Sequence, residues 1–99
     1  MNKLINDLIK ELLTGLKDKF QTKQYVILKN NEKKLEDILF KELTKPSIDQ
    51  SKTPTQIVNE FLYEEFNETF NFTPADFGEK AHSLIMKWGI QKTSDMNEQ

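Results

Sequence analysis

The apolar residues of this chain recur with the spacing of an α-helix in four segments separated by polar stretches. In the first segment, apolar side chains within residues 4–20 follow one another at spacings of one, three and four, and charged residues fill most of the other positions. Such a stripe is typical of a helix with one buried face. The pattern predicts a first helix over residues 3–20, in which Gly15 costs about 1 kcal/mol relative to alanine.

Residues 21–31 have a less uniform pattern. The run Tyr-Val-Ile-Leu at 25–28 has the β-branched and aromatic character of a strand, but the chain contains no second run of this kind to pair with it. The segment is therefore predicted to be a buried connector or the opening of the second helix. Asn31 is that helix's predicted N-cap, and Pro46 ends it because a residue before proline is kept out of the helical conformation. Its buried face is predicted to consist of Leu35, Ile38, Leu39 and Leu43.

The third helix has a clear predicted start. Thr53 is followed by Pro54 and Gln56, and a threonine cap with proline in the first turn and glutamine at the third position forms a capping box. The apolar face of this helix is predicted to consist of Ile57, Val58, Phe61, Leu62, Phe66 and Phe70.

The fourth helix is predicted to begin in the same way. Thr73, Pro74 and Asp76 repeat the capping pattern, and Phe72 and Phe77 have the spacing of a hydrophobic staple. The apolar face of this helix is predicted to consist of Ala81, Leu84, Ile85 and Trp88.

The fourth helix is predicted to end at Gly89, which suits the left-handed position beyond a helix end, with Ile90 folding back onto Ile85. Residues 91–99 are predicted to be a polar, flexible tail. Amphipathic helices with short connections bury their stripes only against one another. Residues 1–90 are therefore predicted to form one all-α domain, a small antiparallel four-helix bundle in which the last two helices form a tight hairpin.

Composition narrows the classes of protein to which the chain can belong. It contains 14 lysines, no arginine and no cysteine, and its net charge is -2. Without cysteine there is no disulfide, thiolate metal site or thiol nucleophile. Without arginine or net positive charge, the chain has little to attract nucleic acid. No apolar run is long enough to span a bilayer and no secretory signal is recognisable, so a cytoplasmic location is predicted.

Few residues could perform catalysis or hold a metal. The single histidine, His82, follows Glu79 at the Glu-x-x-His spacing of di-iron bundles, but such sites need a second pair of this kind. His82 is therefore predicted to be a boundary residue that a neighbouring helix half covers. Serines and glycines form no nucleophile elbow or phosphate-binding loop. The chain is predicted not to be an enzyme and to use no cofactor or metal.

Carboxylates are densest on the third predicted helix, at Glu60, Glu64, Glu65 and Glu68. The glutamates at 60, 64 and 68 recur every four residues and form a ridge, beside which Tyr63 is predicted to be exposed. The ridge is either a solvated acidic face or a docking surface for a basic partner. Residues 1–45 are net positive and residues 46–99 net negative, and such polarity steers encounters with a complementary surface. Recognition is predicted to lie in the second half.

The first helix admits another interpretation. An apolar face flanked by lysines is also typical of a helix that lies on a membrane surface. Asp7, Glu11 and Asp18 weaken attraction to anionic lipid, so packing in the core is favoured. Membrane contact is predicted to be at most peripheral, and the chain is predicted to be a monomer or a homodimer.

Part of the second half resembles a known family. The sequences Val-Asn-Glu-Phe-Leu-Tyr at 58–63, Phe-Asn-Phe-Thr at 70–73 and Leu-Ile at 84–85, with Gly89, resemble the last two helices of class IIa (pediocin-like) bacteriocin immunity proteins. The resemblance implies a small cytoplasmic four-helix bundle without catalytic residues. It also implies protection of the producing cell at the inner face of the membrane, where the bacteriocin engages its receptor complex, with specificity set by the C-terminal half.

Two functions are predicted as alternatives. The first is a non-enzymatic immunity-like protein that binds a membrane receptor complex from the cytoplasmic side. The second is a phage- or plasmid-encoded adaptor or inhibitor that binds a host protein through the acidic face of the third helix. The candidate partner-binding residues are Glu60, Tyr63, Glu64, Glu68, His82 and Trp88.

Overall fold

The regular structure of the described residues is entirely helical. A computed structural model describes residues 2–19, 21–45 and 51–97; Phe20 and Pro46, which two of the predictions use, lie outside these ranges. The elements are α1 (Lys3–Asp18), α2 (Thr22–Asn30), α3 (Glu32–Thr44), α4 (Pro54–Phe66), a 3₁₀ turn (Pro74–Phe77) and α5 (Glu79–Asn97). The predicted all-α class is confirmed.

Helix α1 lies at the centre of the packing. Asn2 caps it by accepting a hydrogen bond from the backbone N–H of Ile5 at 3.3 Å. The helix packs against α2, α3, α5 and the 3₁₀ turn. Its apolar face is buried in the core, as the core-packing interpretation of the first helix predicts. That face consists of Ile5, Leu8, Ile9, Leu12, Leu13 and Leu16.

The second predicted helix is two helices separated by Asn31. The helical alternative for residues 21–31 is confirmed, but this segment forms α2 rather than the opening of α3. The predicted cap is wrong in its chemistry: Asn31 does not accept from the first turn of α3, and its Nδ2 donates to the carbonyl of Ile27 at 2.7 Å. The side chain therefore closes the end of α2. The predicted face of α3 is confirmed, with Leu35, Leu39 and Leu43 buried and Ile38 half-buried.

Helix α4 begins as predicted and ends earlier than predicted. The backbone N–H of Thr53 donates to Oε1 of Gln56 at 2.8 Å, and the Gln56 N–H donates to Oγ1 of Thr53 at 3.3 Å. The helix ends at Phe66 because Asn67 takes the left-handed conformation with φ 52°, which asparagine tolerates better than most residues. Phe70 therefore lies beyond the helix rather than on its stripe.

The second capping sequence begins a 3₁₀ turn and not an α-helix. The Asp76 carboxylate accepts from the backbone N–H of Thr73 at 2.7 Å and from its hydroxyl at 3.1 Å. The predicted staple is confirmed, with the rings of Phe72 and Phe77 5.6 Å apart. Gly78, with φ 96°, then changes the chain direction before α5. Residues 67–78 separate α4 from α5, so the predicted tight hairpin is wrong.

The bonds at Asp76 predict a pH-dependent contribution to stability. Hydrogen bonds from the Thr73 backbone and hydroxyl, together with the charge of Lys19, lower the pKa of Asp76 against the opposing effect of burial. A lowered pKa stabilises the fold above the unfolded-state value of about 3.9, and this contribution is lost as the pH falls through the folded-state value. Asp76→Asn should therefore reduce stability at pH 7 and flatten the loss of stability on acidification. Urea unfolding at pH 7, 5 and 3 measures this, and parallel pH profiles for the two proteins would contradict it.

Helix α5 continues well past its predicted end. It runs to Asn97, Gly89 lies inside it, and Ile90 is 65% exposed rather than folded back onto Ile85. Residues 91–97 therefore belong to α5. A glycine inside a helix lowers stability by only about 1 kcal/mol relative to alanine. Hydrogen bonds from Lys92 to the end of α3 offset this loss.

Lys92 joins the C-terminal half of α5 to the end of α3. Its side chain is buried, and its ammonium donates hydrogen bonds to the backbone carbonyls of Glu42, Leu43 and Lys45. The carbonyls at a helix C-terminus lack partners within the helix and carry partial negative charge. The ammonium of Lys92 on α5 therefore caps the C-terminal end of α3.

Candidate functional site

A shallow groove of about 460 Å³ runs beside the exposed face of α4. We call it the α4 groove. It is formed by α4 side chains together with residues that precede and follow the helix. Its lining consists of Lys52, Asn59, Glu60, Tyr63, Glu64, Thr69 and Phe70.

One side of the α4 groove contains an ion pair. The ammonium of Lys52 lies 2.9 Å from a carboxylate oxygen of Glu60. The backbone N–H of Lys52 also donates to Oε1 of Glu42 on α3 at 2.7 Å. The hydrogen bond to Glu60 and the charge of Glu60 raise the pKa of Lys52 against the opposing effect of desolvation, and the charges of Glu42 and Glu64 add smaller contributions to the rise. Lys52 and Glu60 therefore form an exposed ion pair at the edge of the groove.

The other side of the α4 groove is aromatic. Tyr63 is 50% exposed, and Phe70 is half-buried behind it. Phe70 is held in a row of rings, at 5.6 Å from Phe66 and 6.0 Å from Phe72, and Phe72 in turn contacts Phe77. Ring pairs at these separations attract one another. The aromatic wall of the groove is thus tied to the core through the 3₁₀ turn.

Asn59 fixes the extended segment that closes the groove. Its Nδ2 donates to the carbonyl of Phe72 at 2.9 Å, and its Oδ1 accepts from the Phe72 N–H at 3.1 Å. One side-chain amide therefore satisfies both polar groups of a backbone position, as a neighbouring strand would. The resemblance includes both residues, but nothing in the sequence pattern predicts that they are bonded.

Replacing Asn59 with alanine is expected to lower the free energy of unfolding by about 1–2 kcal/mol, because both hydrogen bonds to Phe72 are lost. Asn6 lies on the exposed face of α1, and Asn6→Ala should change stability by less than about 0.5 kcal/mol. Urea denaturation of the two variants gives the comparison. Equal stabilities of the two variants would show that the hydrogen bonds between Asn59 and Phe72 contribute nothing to stability.

The structure brings together three of the six candidate residues. Glu60, Tyr63 and Glu64 line the α4 groove, and the predicted exposure of Tyr63 is confirmed. Glu68 is exposed but does not continue the predicted ridge, because α4 ends at Phe66 and Asn67 turns the chain. Glu65 is exposed on α4 outside the groove lining.

The two candidates on α5 lie apart from this groove. Trp88 is only 3% exposed and belongs to the core, so it is not part of a free binding surface. His82 is exposed, not half covered as predicted, and Glu79 is exposed as well.

In residues 2–19, 21–45 and 51–97, no three histidine or acidic side chains come together where they could hold a metal ion. Over the same part of the chain, no helix combines the length and apolarity that crossing a membrane requires.

Lys52 and Phe70 are groove residues that sequence reasoning did not select. Lys52 lies before the capping box and Phe70 beyond the helix end, so neither belongs to the helical pattern that identified the glutamates. The resemblance does include Phe70 within residues 70–73.

Comparison with protein-family models, curated proteins and solved structures finds no match to this chain.

Proposed function

We propose that this chain is a non-enzymatic protein-binding protein of the bacteriocin-immunity kind. It would protect its producer cell by acting on a membrane receptor complex from the cytoplasmic side, with at most peripheral contact with the membrane and without a cofactor. The observation that supports this proposal is the α4 groove, whose lining includes half-exposed Tyr63 and the carboxylates of Glu60 and Glu64. Tyr63 and Glu60 belong to the segment 58–63 that carries the resemblance. Exposed aromatic rings surrounded by polar groups are typical of protein-binding surfaces.

The antiparallel four-helix arrangement of that family is part of the proposal. Only Asn31 separates α2 from α3, so these two helices can be counted as one bent helix. With that pairing, α1, the α2–α3 unit, α4 and α5 give the four helices that the resemblance implies. Packing of α1 on α3 and α5, and of α3 on α4 and α5, supports the count.

Expression in a bacteriocin-sensitive strain tests the proposed protection. Cells that produce this chain should tolerate a higher dose of at least one pediocin-like bacteriocin than cells with an empty vector. The resemblance does not specify which bacteriocin, so a panel is needed. An unchanged tolerated dose across the panel would contradict the immunity function.

The α4 groove also favours a second candidate function, a small adaptor or inhibitor that binds a host protein through this face. Glu60 and Glu64 make the face acidic, which suits a basic partner. Reversal of charge by Glu64→Lys should weaken capture of such a partner. Glu65→Lys makes the same change on the same helix outside the groove lining and is the matched control. Equal capture by both variants would argue against binding through the groove.

A further inference from the structure

The α4 groove contains a cation that the chain itself provides. Lys52 is positioned from both ends, since its backbone N–H donates to Glu42 and its ammonium pairs with Glu60. A cation of the chain itself therefore already lies against Glu60 in this groove.

We propose that a protein partner binds the α4 groove by pairing an arginine side chain with Glu60, beside Glu64 and Tyr63, and that Lys52 occupies the place next to Glu60 in the free protein. The inference rests on the proposed function, in which this face contacts a protein partner, and it names the chemistry of that contact. Lys52 then competes with the partner's arginine for Glu60, and this competition lowers the affinity of the groove for the partner.

The ion pair of Lys52 can open without disturbing the core. The side chains of Lys52 and Glu60 are 49% and 56% exposed, and exposed pairs of this kind are held weakly. Lys52 lies before Thr53, the residue that caps α4, so its side chain can swing away while the capping box stays intact. Displacement therefore needs a rotation of one side chain and no change in a helix.

Arginine fits the vacated place better than lysine does. A lysine from a partner offers the same ammonium as Lys52, which has the advantage of belonging to the same molecule. A guanidinium is planar, donates in parallel to carboxylates and stacks on aromatic rings. Glu60, Glu64 and half-exposed Tyr63 provide both kinds of contact. The chain contains no arginine, so none of its own residues can offer this combination.

Short peptides test the proposed charge and shape. The probe is the capped peptide Gly-Ser-Leu-Arg-Leu-Ser-Gly, and its counterparts carry lysine or norleucine at the central position. Titration is followed by the NMR signals of the Asn59 side-chain amide and the Tyr63 backbone. The arginine peptide should bind about three- to tenfold more tightly than the lysine peptide, and the norleucine peptide should leave these signals unchanged. Equal binding of all three peptides, or no shifts with the arginine peptide at millimolar concentration, would overturn the proposal.

Variants test the competition by Lys52. Lys52→Gln removes the internal cation and should tighten binding of the arginine peptide by about two- to fivefold, the strength of an exposed ion pair. Lys80→Gln removes the same charge from an exposed position on α5 and should change nothing. The double variant Glu60→Gln with Glu64→Gln should lose binding, whereas Glu65→Gln should keep it. Unchanged affinity in Lys52→Gln would overturn the role of Lys52 as competitor.

Two combinations of results distinguish a failure of the arginine inference from a failure of the proposed function. If Glu64→Lys abolishes protection or partner capture but the arginine peptide does not bind, the α4 face keeps its proposed function and the arginine inference is wrong. If the arginine peptide binds in the groove but protection and capture are indifferent to Glu64→Lys, the groove recognises arginine and the proposed function is wrong.

Discussion

Gly15→Ala is expected to lower the free energy of unfolding by about 2 kcal/mol, although alanine is the better helix former. A methyl group at this position would lie 2.6 Å from Cα of Phe77 and 2.7 Å from its carbonyl oxygen. These atoms are backbone, so relief requires α1 to move away from the 3₁₀ turn. The resulting strain outweighs the gain of about 1 kcal/mol in helix propensity.

Gly89→Ala is the matched control, because Gly89 also lies inside a helix and a methyl group there meets no atom within 4 Å. This variant should gain about 0.5–1 kcal/mol of stability. Urea denaturation should therefore give shifts of opposite sign for the two substitutions. A stabilising effect of both would mean that α1 and the 3₁₀ turn are not in close contact. Helix propensity alone predicts that Gly15 weakens α1. The structure adds that the absence of a side chain at Gly15 allows the close approach of the Phe77 backbone.

Lys92→Met is expected to lower the free energy of unfolding by about 2–3 kcal/mol. Methionine keeps the apolar stem but removes the ammonium that bonds to the carbonyls of Glu42, Leu43 and Lys45. These carbonyls lie at the C-terminal end of α3 and would lose a charged donor whose side chain is buried. The effect should also be local: amide hydrogen exchange should accelerate in the part of α5 beyond Gly89.

Lys87→Met is the control for this second prediction. Lys87 is exposed on the same helix, so its loss should change stability by less than about 0.5 kcal/mol. Equal effects of the two substitutions would show that the buried contact of Lys92 contributes nothing beyond an ordinary surface lysine. Unchanged hydrogen exchange beyond Gly89 would show that another interaction holds the end of α5.

Local capping and stapling contacts were easier to predict from this sequence than the bounds of the later helices. The capping box of Thr53 and Gln56 and the staple of Phe72 and Phe77 are local, since their partners lie within a few residues of one another. The bounds of α5 depend on contacts distant in sequence. Lys92 reaches a helix about fifty residues earlier in the chain, and no spacing rule predicts such a bond.

The candidate site was predicted in part for the same reason. Glu60, Tyr63 and Glu64 lie within two turns of α4, so helical spacing places them together. Glu68 was assigned to the same ridge on the assumption that the helix continues, and the left-handed Asn67 ends it. Helical spacing already places Trp88 on the apolar face of α5, and the structure buries it there rather than on a binding surface. Lys52 and Phe70 enter the groove through the turns on either side of α4, which only the folded chain brings together.

The tolerated bacteriocin dose of cells that express the native chain, Glu64→Lys or Glu65→Lys tests most directly whether this protein acts through the α4 groove. Both variants reverse one charge on the same helix, and both sites are exposed, so folding should be equal. We predict that the native chain and Glu65→Lys protect the cells and that Glu64→Lys does not. Protection that is equal in all three strains, or lost in both variants, would contradict a binding surface at the groove.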